Sequence, residues 1–153
     1  MNKLRASSNP IKIILVILVA SLAFTIWGFL WYATVFDDVW QSLIGHSEEE
    51  LIRVAEKRGI YQTISTHLIS IVQASGLYAI IRMTRSQNFW QHQMIAGILS
   101  VLIALPVLGN AVLFANSPMG LWVLDFMHFI FGYAGMALIF WILKGWITPK
   151  QSQ

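Results

Sequence analysis

Four apolar runs, at residues 13–36, 60–81, 93–115 and 120–143, decide what this chain can fold into. Each is long enough to cross about 30 Å of hydrocarbon as a helix. A backbone surrounded by lipid must satisfy its own hydrogen bonds, and a helix does so within one segment. The expected fold is therefore all-α, an integral membrane four-helix bundle that takes up residues 1–153 as a single domain. Composition agrees: 11% of residues are charged, where soluble domains carry about a quarter.

The connections differ in kind. Residues 37–59 form a polar loop, 82–92 a short basic one and 116–119 a bare turn. Basic residues choose the orientation. Lys3, Arg5, Lys12, Arg82, Arg85, Lys144 and Lys150, seven of the ten, fall on one side; Arg53, Lys57 and Arg58 fall on the other. Both termini are expected to be cytoplasmic, with the 37–59 loop, which holds six of the seven acids, outside. The basic start followed by apolar residues also fits a signal peptide, with Ser21, Leu22 and Ala23 resembling a cleavage site. The run continues through Trp27 and Trp31, too long for a signal core, and favours an uncleaved anchor.

Within the outer loop, Ser47 and Glu50 are spaced as a capping box, and Glu48, Glu49 and Glu50 lie near a helix start. Arg53, Lys57 and Arg58 follow, and Gly59 can end the helix. A short amphipathic helix is expected there, lying along the bilayer or capping the bundle. Trp31, Tyr32, Trp40, Tyr61 and Trp122 are expected at the outer border of the membrane, and Phe89, Trp90, Trp141 and Trp146 at the inner one.

Polar residues inside the spans carry the functional information. Asp125 is the only acid outside the loop, and His128 follows one helical turn later. An ionisable group at membrane depth is costly and by default marks a site facing protein or water. Thr63, Thr66, His67, Ser70 and Gln73 recur along one side of the second span. This stripe is expected to face protein, where its groups find partners. On the fourth span Asp125, His128, Gly132 and Gly135 form a stripe whose glycines admit a close neighbour. On the third, Ala96, Ser100 and Ala104 form a close-packing surface, and Pro106 is expected to kink the helix before Gly109 and Asn110.

At about 1.5 Å per residue, His67 lies roughly 10 Å below the outer boundary, Asp125 and Asn110 roughly 8 Å, and His128 roughly 12 Å. His67, Asn110, Asp125 and His128 therefore form the candidate site, with Thr63, Thr66, Ser70 and Gln73 as a secondary polar stripe. The plainest reading is a structural network locking helices in register. A second is a site for protons or a small polar solute, since histidine titrates near neutral pH. A third is a metal site of His67, Asp125 and His128 with an open position. Trp27, Trp31 and Tyr32 could instead line a groove for a hydrophobic ligand. His46 and His92 are expected to be solvated.

Hydrolase, metalloprotease and phosphate-loop motifs are absent from the sequence, and Ser65, Ser70 and Ser100 are not distinguished from packing serines, so a non-enzymatic role is expected. There is no cysteine, hence no disulfide or thiolate site, and the net charge of +3 is too small and scattered for nucleic acid. No cofactor is implied. The expected partners are the lipid bilayer and a second copy or other membrane protein.

Residues 28–32 (Gly-Phe-Leu-Trp-Tyr), followed by Phe36, Trp40, Gly45 and residues 47–51, resemble the opening of a bacterial membrane family catalogued as domain of unknown function 1761. Residues 110–114, Pro118, Leu121, Trp122 and His128 resemble its third turn and fourth span. The resemblance implies a small four-span protein of the bacterial inner membrane. It implies no activity. The two functional expectations are a transport, sensing or accessory protein with an outward polar site, and a scaffold or partner subunit in which the same residues only hold helices together.

Overall fold

The computed structural model describes residues 9–45 and 48–147, apart from the side chains of Glu48, Leu51 and Ala55. Lys3, Arg5, His46, Ser47 and Lys150 lie outside the described residues. The first helix, α1 (Pro10–Leu30), opens with Asn9, whose side chain accepts from the Ile11 amide at 2.9 Å, and with Pro10 in the first turn. A proline there forfeits no intrahelical bond. The chain continues as a π-helical turn, Trp31–Val35, closed by the Phe36 amide donating to the Trp31 carbonyl.

A second helix, α2 (Asp37–Ile44), begins with Asp37 and Asp38, acids that suit the positive end of a helix dipole. It stops at Gly45, whose φ of 67° is the left-handed conformation common at helix ends. Helix α3 (Glu48–Met83) is broken at Gly59 (φ 47°, ψ −136°) into a surface helix and a span. Helix α4 (Phe89–Ala115) starts at a capping box of Asn88 and Gln91 and runs on through Pro106. Helix α5 (Met119–Ile142) and the single turn α6 (Lys144–Ile147) complete the chain.

Four segments are long and apolar enough to cross a membrane: Pro10–Val35, Glu56–Met83, Phe89–Ala115 and Met119–Ile142. The protein is a multi-pass membrane protein with an all-α four-helix bundle. The spans start and end within a few residues of the sequence-based limits. The outer connection differs more. It contains α2, which polarity alone did not mark, and the expected amphipathic helix is followed directly by the second span, with the break at Gly59 where the helix was expected to end.

Helix α1 packs between α3 and α5, and α4 lies on the other flank of α5; α3 and α4 meet more sparsely. The core sits toward the α6 end, around Val16, Ala20, Leu77, Ala96, Tyr133 and Met136. Lys12 fastens that end by donating to the Trp146 carbonyl at 3.2 Å. Ala96, Ser100 and Ala104 are fully buried, as their spacing predicts. Gly132 is needed for the packing, because a Cβ there would collide with the Phe24 ring. Gly135 is exposed, with nothing near it, so the glycine stripe of the fourth span is only half used.

Toward the α2 end the bundle opens. The described side chains of residues 52–66 are all exposed, and so are Leu102, Leu105, Val107, Leu113 and Phe114 on α4. At that end α2 packs on the π-helical turn and on α5.

Candidate functional site

Asp125 and His128 stand one turn apart on α5, and the chain that meets them is α1. The π-helical turn sets Tyr32 so that its hydroxyl donates to Asp125 Oδ1 at 2.7 Å. Single π-helical turns are rare and cluster at functional sites. Asp125 is half-buried. Among the described residues it has no partner besides Tyr32.

His128 is only 7% exposed. Its ring lies 5.0 Å from that of Tyr32, 5.3 Å from Phe24, 5.7 Å from Phe129 and 6.2 Å from Trp31. Gly28 makes the room: a Cβ there would sit 3.3 Å from His128 Nε2. That nitrogen is buried with no hydrogen-bond partner among the described residues, as is Trp31 Nε1. Trp27 Nε1 donates to the His128 carbonyl at 3.3 Å, holding α1 to α5 from the other side.

Helix α2 roofs this cluster. Trp40 lies 6.1 Å, ring to ring, from Tyr32. Leu43 presses on Gly120, where a Cβ would come within 2.7 Å of Leu43 Cδ2. Trp40 and Leu43 are three residues apart and share a side of α2. The seat is made by a glycine at the first turn of α5.

The other two members of the expected site are elsewhere. His67 is half-buried at the α1–α3 contact, where its Nδ1 is 3.2 Å from Thr25 Oγ1. Asn110 is exposed on the open part of α4. Matching depth did not bring the four together, because α1 stands between α3 and α5 and takes each polar group separately: Thr25 takes His67, Tyr32 takes Asp125. The three-ligand metal set of His67, Asp125 and His128 accordingly does not form. Among the described residues no three histidine or acidic side chains lie close enough to hold a metal ion.

The secondary stripe also divides. Ser70 is buried, accepting from Thr25 Oγ1 at 3.2 Å and donating to the Thr66 carbonyl, and Gln73 has a buried Oε1. Thr63 and Thr66 are exposed instead of facing protein. Thr66 satisfies its hydroxyl on the Gln62 carbonyl of its own helix. The Ser100 hydroxyl likewise donates to the Gly97 carbonyl, and Ser65 is exposed.

Two expectations about rings and imidazoles are corrected. The Trp31 ring does not face lipid: it is 6% exposed and packs on Phe36 at 4.4 Å and Trp27 at 5.1 Å. His92 is not solvated; it is 2% exposed, with Nδ1 2.8 Å from Ser86 Oγ and 3.0 Å from the Asn88 carbonyl. The loop between α3 and α4 folds over it, turned by Arg85 at φ 52° and held by Lys144, which donates to the Gln87 carbonyl at 2.7 Å.

Tyr32, Trp27 and Thr25 are partners of the polar residues that hydropathy and depth do not reveal. A trace was present: Ser21, Thr25, Gly28 and Tyr32 recur every three or four residues, a polar and small stripe along α1. The family model described as Protein of unknown function (DUF1761) matches residues 15–141, and the chain belongs to that family. No curated protein and no solved structure matches it. The matched region contains every residue of the Tyr32, Asp125 and His128 cluster.

Proposed function

We propose that this DUF1761 membrane protein works through a polar intramembrane site of Tyr32, Asp125 and His128, which handles protons or a small polar solute in a transport, sensing or accessory role. One observation carries the proposal. The lone acid of the fourth span is held by a tyrosine from a π-helical turn, beside an imidazole nitrogen buried with no partner among the described residues. A carboxyl and an imidazole can each take or release a proton, and ionisable groups kept inside a membrane are functional by default.

The accompanying picture is a non-enzymatic protein of the bacterial inner membrane with both termini cytoplasmic and the site on the outer side. The excess of basic residues at the α6 end supports that orientation. Thr63, Thr66 and Asn110, exposed on spans, support association with a second copy or another membrane protein, since polar groups between membrane helices find partners there. The rival reading is a scaffold in which the cluster only locks α1 to α5. Trp27 bonded to the His128 carbonyl and the fit of His128 against Gly28 favour it.

Intrinsic fluorescence separates the two. His128 lies beside Trp31, so a change in its charge should alter the indole emission. His92 also lies against an indole, 5.5 Å from Trp141, so the titration is run in a Trp141→Phe background. A site that handles protons should show a step in emission with pH that His128→Gln abolishes and Asp125→Asn displaces, in variants that remain folded by circular dichroism. A flat profile, or a step that survives both substitutions, leaves only the scaffold.

A further inference from the structure

We propose that the solute taken at Asp125 is a small organic ammonium ion, with the carboxylate as its counter-ion and the Tyr32 and Trp40 rings as its walls. This inference rests on the reading of the cluster as a solute site and narrows it to one chemical class.

Charge is the first ground. No lysine or arginine occurs between Lys12 and Arg53, or between Arg85 and Lys144, so α2, the π-helical turn and α5 carry no permanent protein cation, and their one basic group is the titratable His128. The same elements carry Asp37, Asp38 and Asp125. Arg53, Lys57 and Arg58 belong to the stretch of α3 whose described side chains are all exposed, and no ion pair joins any of them to Asp125 among the described residues. An ionised Asp125 therefore has no fixed positive partner, and a buried charge without one is costly. A mobile cation supplies what the chain omits, and Asp37 and Asp38 on the covering helix add to its attraction.

Geometry is the second. Tyr32 engages only Oδ1 of a half-buried carboxyl, leaving Oδ2 for a ligand. Tyr32, bonded to that carboxyl, has the Trp40 ring 6.1 Å from its own, and aromatic faces attract organic cations. A bare metal cation needs a shell of about six or more oxygens. Here the oxygens bonded at the site are those of Asp125 and Tyr32, and no metal-binding group of three acidic or histidine side chains occurs among the described residues. Neutral and anionic solutes would leave the carboxylate uncompensated.

The test uses three probes that share a ring and differ in charge: benzyltrimethylammonium, benzyl alcohol and benzoate. Each is titrated into the full-length protein in detergent, read by tryptophan emission. The ammonium should give a saturable change and the other two only the linear drift of micelle partition. Asp125→Asn should weaken the saturable binding about tenfold or more, as loss of one strong interaction does. Trp40→Leu, on a surface helix outside the core, should weaken it about two- to fivefold. Equal responses to the three probes, or saturation unchanged in both variants, would overturn the proposal. If emission follows pH as described above but no probe saturates, the ammonium assignment falls and the proton reading stands. If the folded protein responds to neither, both fall.

Discussion

The Tyr32 hydroxyl donates across 2.7 Å to Asp125 Oδ1, and this single bond joins the π-helical turn of the first span to the lone acid of the fourth. Around it the packing is one-sided. His128 fits against Gly28, Leu43 against Gly120 and Phe24 against Gly132. In all three a glycine concedes the space that a larger side chain enters.

Removing the Tyr32 hydroxyl should be felt as stability. Tyr32→Phe keeps the ring against His128 and Trp40 but deletes the bond, at a cost of about 1–3 kcal/mol. For a chain of this size that lowers the melting temperature by about 2–4 °C per kcal/mol. Thermal unfolding in detergent, followed by circular dichroism, measures it. A melting point equal to wild type would show that the bond holds nothing in place.

Glycine positions should separate into two classes. Gly132→Ala forces a methyl into the Phe24 ring, and such overpacking costs about 1–3 kcal/mol. Gly97→Ala, in the interior of α4 with open space at its Cβ, should be neutral or stabilise by up to about 1 kcal/mol. Both are read from the same melting curves. Equal effects at the two positions would contradict the observed packing of α1 on α5.

At the α6 end, His92 holds the loop between α3 and α4 through Ser86. His92→Ala should raise amide hydrogen exchange across residues 84–88, with exchange in the middle of α5 unchanged. Mass-spectrometric exchange resolves this. Ser86→Ala, which deletes one bond to a buried partner, should do the same more weakly, at about 1 kcal/mol of local stability.

Because the chain has no cysteine, single cysteines report sidedness directly. Ser42→Cys on α2 should react with a membrane-impermeant maleimide from outside intact cells, and Met83→Cys at the end of α3 only after permeabilisation. Both positions are exposed. The reverse pattern would invert the orientation we propose and place the Asp125 site on the cytoplasmic side.

How much of this was legible beforehand varies with the residue. Apolar length marked all four spans, and the four-residue spacing of Ala96, Ser100 and Ala104 marked a buried face. Asp125 and His128 were picked out because charge and imidazole are rare in such runs. Their partners were not. Tyr32 and Trp31 were assigned to the membrane border because aromatic residues at helix ends usually sit there. Both turn inward here, where the helix widens into a π turn and Trp31 packs on Phe36. His67 and Asn110 were grouped with Asp125 on height alone.

The sequence by itself determined the number of spans, their approximate limits and the height of each polar residue, since hydropathy and a fixed rise per residue are properties of one segment. The tertiary structure decided which polar residues meet. Height leaves the direction around the bundle axis open, and that direction follows from which helices fit together. Gly28 and Gly132 admit a histidine ring and a phenylalanine ring between α1 and α5. That fit puts Tyr32 on Asp125, sends His67 to Thr25 on the far side of α1, and leaves Asn110 outside.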